Sequence, residues 1–330
     1  MTITASIRQF LEYCEVERGK SVLTLRNYQF YLQRFLKWID NNNANLKSQI
    51  SKTEEKNKIK ELEDQIVENT EDITQELVRQ YRLYLTRLQD RKGEELKKQT
   101  QNYHIIALRA YLKFLASRGI PSLSPEKVEL AKIGDRQITF LEQEEVVGLL
   151  DKVDVKGKSG LRDRAMLELL FSTGLRVSEL ASLKVEQLNL ERGEMAVLGK
   201  GKKERVVFIS DDAVEWLSKY LLARGDKLGP LFGQIMPNGE RRQLSVRTVE
   251  RIVKKYALKA GIVKNVSPHT IRHSFATDLL INGADIRSVQ SLLGHSSITT
   301  TQVYTHLTDQ RLREVHKAYH SRRRTDRKSE

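Results

Sequence analysis

Two short stretches of the chain set reactive side chains at spacings that invite a chemical reading. In SPHTIRHSFATDLL, Ser267 suits a helix N-cap and Pro268 the first helical position, so His269 and Arg272 fall at i and i+3 and share a face. That face lies near the exposed N–H groups of a helix start, a natural place for an anion. In LLGHSSITTTQVYTH, Leu292 to His306, His295 and Tyr304 stand nine positions apart (304 − 295) across a run of Ser and Thr. Alone, His295 is a helix-end residue beside Gly294, and Tyr304 is a core residue of an amphipathic helix. Upstream, FSTGLRVSEL puts Gly174 where a helix C-cap is expected and Arg176 at the turn into the next helix, where an arginine can cap carbonyls or pair with Glu179. Lys200 sits in GKGKKER, which by itself is a solubilising basic turn. Two other chemistries are set aside. The Gly-four-residues-Gly-Lys-Ser/Thr spacing of a phosphate-binding loop is absent, and Thr270 occupies the place where a zinc-protease helix carrying His269 and His273 needs a glutamate.

These residues need a scaffold, and the patterning around them is mainly helical with one hairpin. EMAVL (194–198) and RVVFI (205–209) are short β-type runs joined by GKGKKE, which puts Lys200 at a strand end or in the turn. Ile271, Phe275 and Leu279 point toward a core. Toward the N-terminus, Leu25, Tyr28, Leu32, Phe35 and Ile39 give one apolar stripe on a helix from about Thr24 to Ile39. Ile73, Leu77, Tyr81, Leu85 and Leu88 form a second stripe. Ile105, Leu108, Leu112 and Leu115 form a third, with Arg109 and Lys113 on the remaining surface. Between the first two lies a segment at about 41–72, rich in Asn, Lys and Glu, that looks inserted. Ile59, Leu62 and Ile66 allow it a short exposed helix, but its apolar surface is too small to offset its ordering entropy. The expected organisation is a helical domain over 1–120, a linker over 121–137 with the boundary near Asp135, and a second domain over 138–330.

The whole chain bounds the partners. Its 330 residues suffice for two domains with separate cores. Lys and Arg outnumber Asp and Glu by 57 to 43, a formal charge of +14, which favours a polyanion without choosing among DNA, RNA and anionic lipid. No apolar run approaches the ~20 residues that span a bilayer, and MTITASIRQF lacks the apolar stretch of a signal peptide. The expectation is a soluble, cytoplasmic protein with no membrane partner. Cys14 is the only cysteine, which excludes an intrachain disulfide and a cysteine-based zinc site; on a helix with Phe10 and Tyr13 it reads as a packed residue.

Taken in order, Arg176, Lys200, His269, Arg272, His295 and Tyr304, within TGLRVSEL, GKGKKER, SPHTIRHSFAT and LLGHSSITTTQVYTH, resemble the active-site set of the tyrosine recombinases, the phage-integrase-type enzymes, and most closely their Xer branch. The similarity covers the second domain nearly end to end, and the part beginning LEYCEVERGK is similar to the family's core-binding domain. Two departures are the length of the 41–72 segment and Asp278, which stands where Xer proteins often carry His. The resemblance implies a helical core-binding domain followed by a catalytic domain that is mainly α with a small antiparallel sheet. It implies site-specific recombination of double-stranded DNA through a 3′-phosphotyrosyl intermediate, with Tyr304 as nucleophile and no cofactor or metal.

On that resemblance, Arg176 and Arg272 hold the nonbridging oxygens of the phosphate, His295 adds a hydrogen bond, His269 handles the phenolic proton and Lys200 protonates the departing 5′-oxygen. A C-terminal exchange helix over Asp309 to His320, ahead of a basic tail, is expected to link a homo- or hetero-tetramer on two DNA sites. The expected role is Xer-like resolution of chromosome or plasmid dimers. A mobile-element integrase or excisionase, a type IB topoisomerase and a DNA-binding protein with a decayed active site are the alternatives.

Overall fold

Short polar side chains fix where the helices begin. Thr2, Ser21 and Thr74 each accept a backbone N–H from the third residue onward, and so open α1 (Ile3–Val16), α2 (Val22–Ile50) and, after α3 (Lys56–Glu63), α4 (Gln75–Arg87). A longer helix, α5 (Lys98–Ser117), follows. The computed structural model describes residues 1–90, 93–134, 139–199, 204–236 and 240–294. The chain divides into two units, Met1–Asp135 and Arg136–Glu330.

In the first unit the three sequence stripes meet in one core. Phe10, Leu32, Phe35, Tyr81, Leu85, Leu108, Tyr111, Leu112 and Leu115 are all at most 2% exposed. Cys14 is buried in the same core. Over 41–72, helix α2 does not stop at Ile39 but runs on to Ile50, and α3 follows as a short helix with no buried residue, of the kind Ile59 and Leu62 allowed. The ordering comes from polar contacts that an apolar count misses. Buried Asn43 donates from Nδ2 to the Val67 carbonyl (2.7 Å) and accepts the Val67 N–H on Oδ1 (3.1 Å), while Asp72 accepts the N–H groups of Glu68 (3.0 Å) and Asn69 (2.7 Å).

The same device holds the start of the stretch read as a linker. Asn102 donates to the Ala131 carbonyl (2.8 Å) and accepts its N–H (3.1 Å), with Pro125 and Val128 buried. The first unit therefore packs as far as Ala131.

The second unit opens with α6 (Gln143–Asp151), α7 (Lys158–Thr173) and α8 (Val177–Ser182). Helix α7 is buried on most sides: Ala165, Met166, Leu167, Leu169 and Leu170 have no exposed surface, and its buried Asp163 and Glu168 are paired with Arg162 and Arg164, which makes it the central helix of this unit's core. Strands β1 (Leu188–Asn189), β2 (Glu194–Leu198) and β3 (Glu204–Phe208) form an antiparallel sheet in that order. Strand β3 begins one residue earlier than the sequence pattern indicated. Its register sets Val207 opposite Met195 and Arg205 opposite Val197. Because side chains alternate along a strand, Arg205 shares the inward face with Val207. Helix α9 (Asp211–Arg224), a hairpin of β4 (Gly233–Ile235) and β5 (Arg241–Gln243), α10 (Val246–Lys259), α11 (Pro268–Ile281) and α12 (Ile286–Leu293) complete the described part. Ala276 and Leu280 of α11 pack on Val289 and Leu293 of α12. No helix among the described residues is long and apolar enough to cross a membrane.

Candidate active site

Helix α7 ends at Gly174, which is left-handed (φ 57°, ψ 28°) and donates its N–H to Leu170 (3.0 Å). Glycine is needed there for two reasons. The positive φ strains any other residue, and a Cβ would run into the Phe275 ring of α11. Two residues on, Arg176 is the N-cap of α8. Its backbone N–H donates to Glu179 Oε2 (3.0 Å), its NH1 to Glu179 Oε1 (2.9 Å) and its NH2 to the Gly294 carbonyl (2.8 Å). The arginine thus does both things the sequence allowed it, capping a carbonyl and pairing with Glu179. About a third of its side chain, 32%, stays open to solvent.

Glu179 is buried, and Arg205 forks onto it from β3, NH1 to Oε1 and NH2 to Oε2, both 2.9 Å. Burial acts to raise the Glu179 pKa, yet the Arg205 fork, the Arg176 N–H and the two cations outweigh it and hold the carboxyl down at about 2. An unfolded glutamate titrates near 4.5. The carboxylate therefore contributes stability above that value, on the order of 3 kcal/mol, which is lost as pH falls through the folded pKa. Unfolding followed from pH 5 to pH 2 should show this decline, and Glu179→Gln should flatten it. An unchanged slope in that variant would mean that other carboxylates carry the effect.

Arg272, on the second turn of α11, is 4% exposed. It donates from NH1 to the Gly174 carbonyl (2.6 Å) and from NH2 to the Leu293 carbonyl (2.7 Å). Arg176 and Arg272, far apart in sequence, are thereby gathered on consecutive carbonyls at the C-terminal end of α12, where the partial negative charge of a helix end favours cations. Gly294 turns the chain there in a left-handed conformation (φ 62°, ψ 45°).

His269 precedes Arg272 by one turn. Helix α11 starts as the sequence indicated, with Ser267 Oγ accepting the Thr270 N–H (3.3 Å) and Pro268 at the first position. The His269 residue is exposed, and its ring lies 5.5 Å from that of His273. Lys200, in the connection from β2 to β3, and His295 and Tyr304, beyond Gly294, lie outside the described residues, as do the C-terminal helix and the basic tail. Sequence reading missed Arg205. The available signal was its place two residues before Val207, which puts a charged side chain on the buried face of a strand, where it needs a partner.

The model of the phage integrase family matches residues 139–311. Tyrosine recombinase XerD of Oceanobacillus iheyensis is 36% identical over 322 residues, covering 96% of this chain and 98% of that protein. XerD of Pseudomonas aeruginosa is 35% identical over 319 residues, covering 96% and 97%. The crystal structure of XerH site-specific recombinase bound to palindromic difH substrate, a post-cleavage complex, shares the fold with a TM-score of 0.66 at 24% identity, over 95% of this chain and 85% of that one. A mainly helical unit with a small antiparallel sheet is thus the recombinase fold. The chain belongs to the phage integrase family and is a tyrosine recombinase, an enzyme of site-specific recombination.

Proposed function

We propose that this enzyme is Xer-like and cuts and rejoins double-stranded DNA, with Tyr304 as the nucleophile. The observation that carries the proposal is the pair of guanidiniums, Arg176 and Arg272, gathered on the Leu293 and Gly294 carbonyls immediately before His295. A phosphodiester repels nucleophiles through its negative oxygens, so preorganised cations around it are the main requirement for cleavage. Arg176 has five N–H donors, and its side chain commits only two of them to described residues. Tyr304 attacks phosphorus as His269 takes or holds its proton. The 5′-oxygen leaves with a proton from Lys200, and the 3′-phosphate stays on the tyrosine. The freed 5′-hydroxyl of a partner duplex then attacks that bond and displaces the tyrosine. Bond energy is kept throughout, which removes any need for ATP.

The role of Lys200 has its own test. Lys200→Ala should slow cleavage by roughly 10²-fold or more, the scale of a lost general acid. A substrate with sulfur at the 5′-bridging position should restore the rate, because a thiolate leaves without a proton. If sulfur rescues Arg176→Ala and does nothing for Lys200→Ala, the two roles are exchanged.

Residues 1–120 are assigned to DNA clamping, and the helix from Asp309 to His320 to coupling protomers in a tetramer on two sites. XerH, whose fold is shared, was solved on its difH substrate. Deleting residues 308–330 should leave single-site binding largely intact, weakened mainly at higher salt by loss of the basic tail. Pairing of two sites and recombination should fail. A loss of folding stability without a selective pairing defect would show that the helix docks on its own unit. A full-length protein that relaxes supercoils but never yields recombinant product from two target sites, recovered by sequencing covalently trapped DNA, would be a topoisomerase.

A further inference from the structure

Arg205 closes the GKGKKER stretch but is not among the six residues to which the recombinase resemblance gives a role, yet it is the best-coordinated partner of Glu179. A carboxylate offers about four acceptor positions, and all four here are taken: two by the Arg205 fork, one by the Arg176 N–H and one by Arg176 NH1. Arg205 also lies against Gly294. A Cβ placed on that glycine would come within 3.1 Å of Arg205 Nε and 3.2 Å of its Cδ and Cζ, and Gly294 is the residue whose carbonyl receives Arg176 NH2. One guanidinium therefore touches both anchors of Arg176.

The charges point the same way. Without Arg205, the buried Glu179 has Arg176 as its only cation among these three groups, and the two neutralise each other. With Arg205 the trio carries a net positive charge beside Arg272. The stability that the ionised Glu179 contributes does not by itself require an arginine at this place. Arg205 Nε is buried with no hydrogen-bond partner among the described residues, and buried ion pairs of this kind are often replaceable by apolar side chains without loss.

Building on the recombinase function proposed above, we infer that Arg205 is a positioning residue for strand cleavage. By saturating Glu179 and packing under Gly294, it fixes the Arg176 guanidinium in place and keeps its charge available to a phosphate.

The test uses the full-length protein in single-turnover cleavage of a nicked suicide duplex at saturating protein, alongside single-site DNA affinity and thermal unfolding. Wild type must form the covalent adduct; if it does not, the recombinase function fails, whatever Arg205 does. Given that adduct, Arg205→Met should bind DNA within about threefold of wild type yet cleave roughly thirtyfold or more slowly, as expected when a charge-stabilising group is mispositioned. Arg205→Lys keeps the charge but cannot fork both oxygens, so it should recover only part of the rate. In a Glu179→Gln background, Arg205→Met should cost far less than it does alone, because the two act through one contact. Wild-type cleavage by Arg205→Met, or effects of Glu179→Gln and Arg205→Met that simply multiply, would overturn the inference. If Arg205→Met does not fold, Arg205→Lys decides. Slowed cleavage with intact folding and binding supports the role, and a wild-type rate removes it.

Discussion

Incubated with a nicked suicide duplex, the wild-type protein should become joined to DNA through a 3′-phosphate in a form that survives denaturant, and Tyr304→Phe should bind the same duplex and yield no adduct. The loss is expected to be complete because the phenolic oxygen is itself one partner in the new bond; no neighbouring group replaces an atom that becomes part of the product. A free tyrosine has a pKa near ~10, so only about one molecule in a thousand is phenolate at neutral pH. Activation must therefore come from the surroundings, and the proposed surroundings are His269 on α11 and the two guanidiniums at the end of α12. The measurement is a denaturing gel of the adduct, with the attached residue identified by mass spectrometry. An adduct that persists in Tyr304→Phe, or a peptide bearing DNA at another residue, would remove Tyr304 from its role. EDTA should leave the yield unchanged, since the proposed charge neutralisation comes from arginines.

Much of this site was legible because its elements announce themselves locally. Ser267 and Pro268 write the start of α11 into adjacent positions, and Gly174 marks the end of α7, so the helix frames around Arg272 and Arg176 followed from cap chemistry alone. The Arg176–Glu179 pair was also within reach, because it is closed within one turn. What the local sequence lacked was the long-range contacts. Arg205 meets Glu179 from a separate strand, and Arg272 bridges Gly174 to Leu293, contacts that no spacing rule encodes. The same limit explains the 41–72 segment. Its contacts include Asn43 finding the backbone of Val67 and Asp72 that of Glu68 and Asn69, specific bonds that composition counts as merely polar.

Arg176→Ala and Arg272→Ala should both lower cleavage by roughly 10²-fold or more, yet they should part company in stability. The difference lies in what each substitution leaves behind. Removing Arg272 takes both guanidinium donors from the buried carbonyls of Gly174 and Leu293, and it cuts the tie between the α7–α8 turn and α12. Stranded buried acceptors and a lost charged staple cost on the order of 3 to 5 kcal/mol. Removing Arg176 leaves Glu179 still forked by Arg205, so no buried carboxylate is orphaned, and the lost side chain was already one-third exposed. That loss should be about 1 kcal/mol. Chaotrope unfolding gives the two stabilities, and single-turnover cleavage, measured well below each variant's Tm, separates chemistry from unfolding. Arg272→Lys refines the comparison. One ammonium cannot hold two carbonyls with the planar fork of a guanidinium, so charge returns while much of the stability does not. If Arg176→Ala proves as destabilised as Arg272→Ala, then Arg205 does not hold Glu179 without it, and the ion cluster stands or falls on Arg176 instead. If either alanine variant cleaves at the wild-type rate, that arginine does not meet the phosphate.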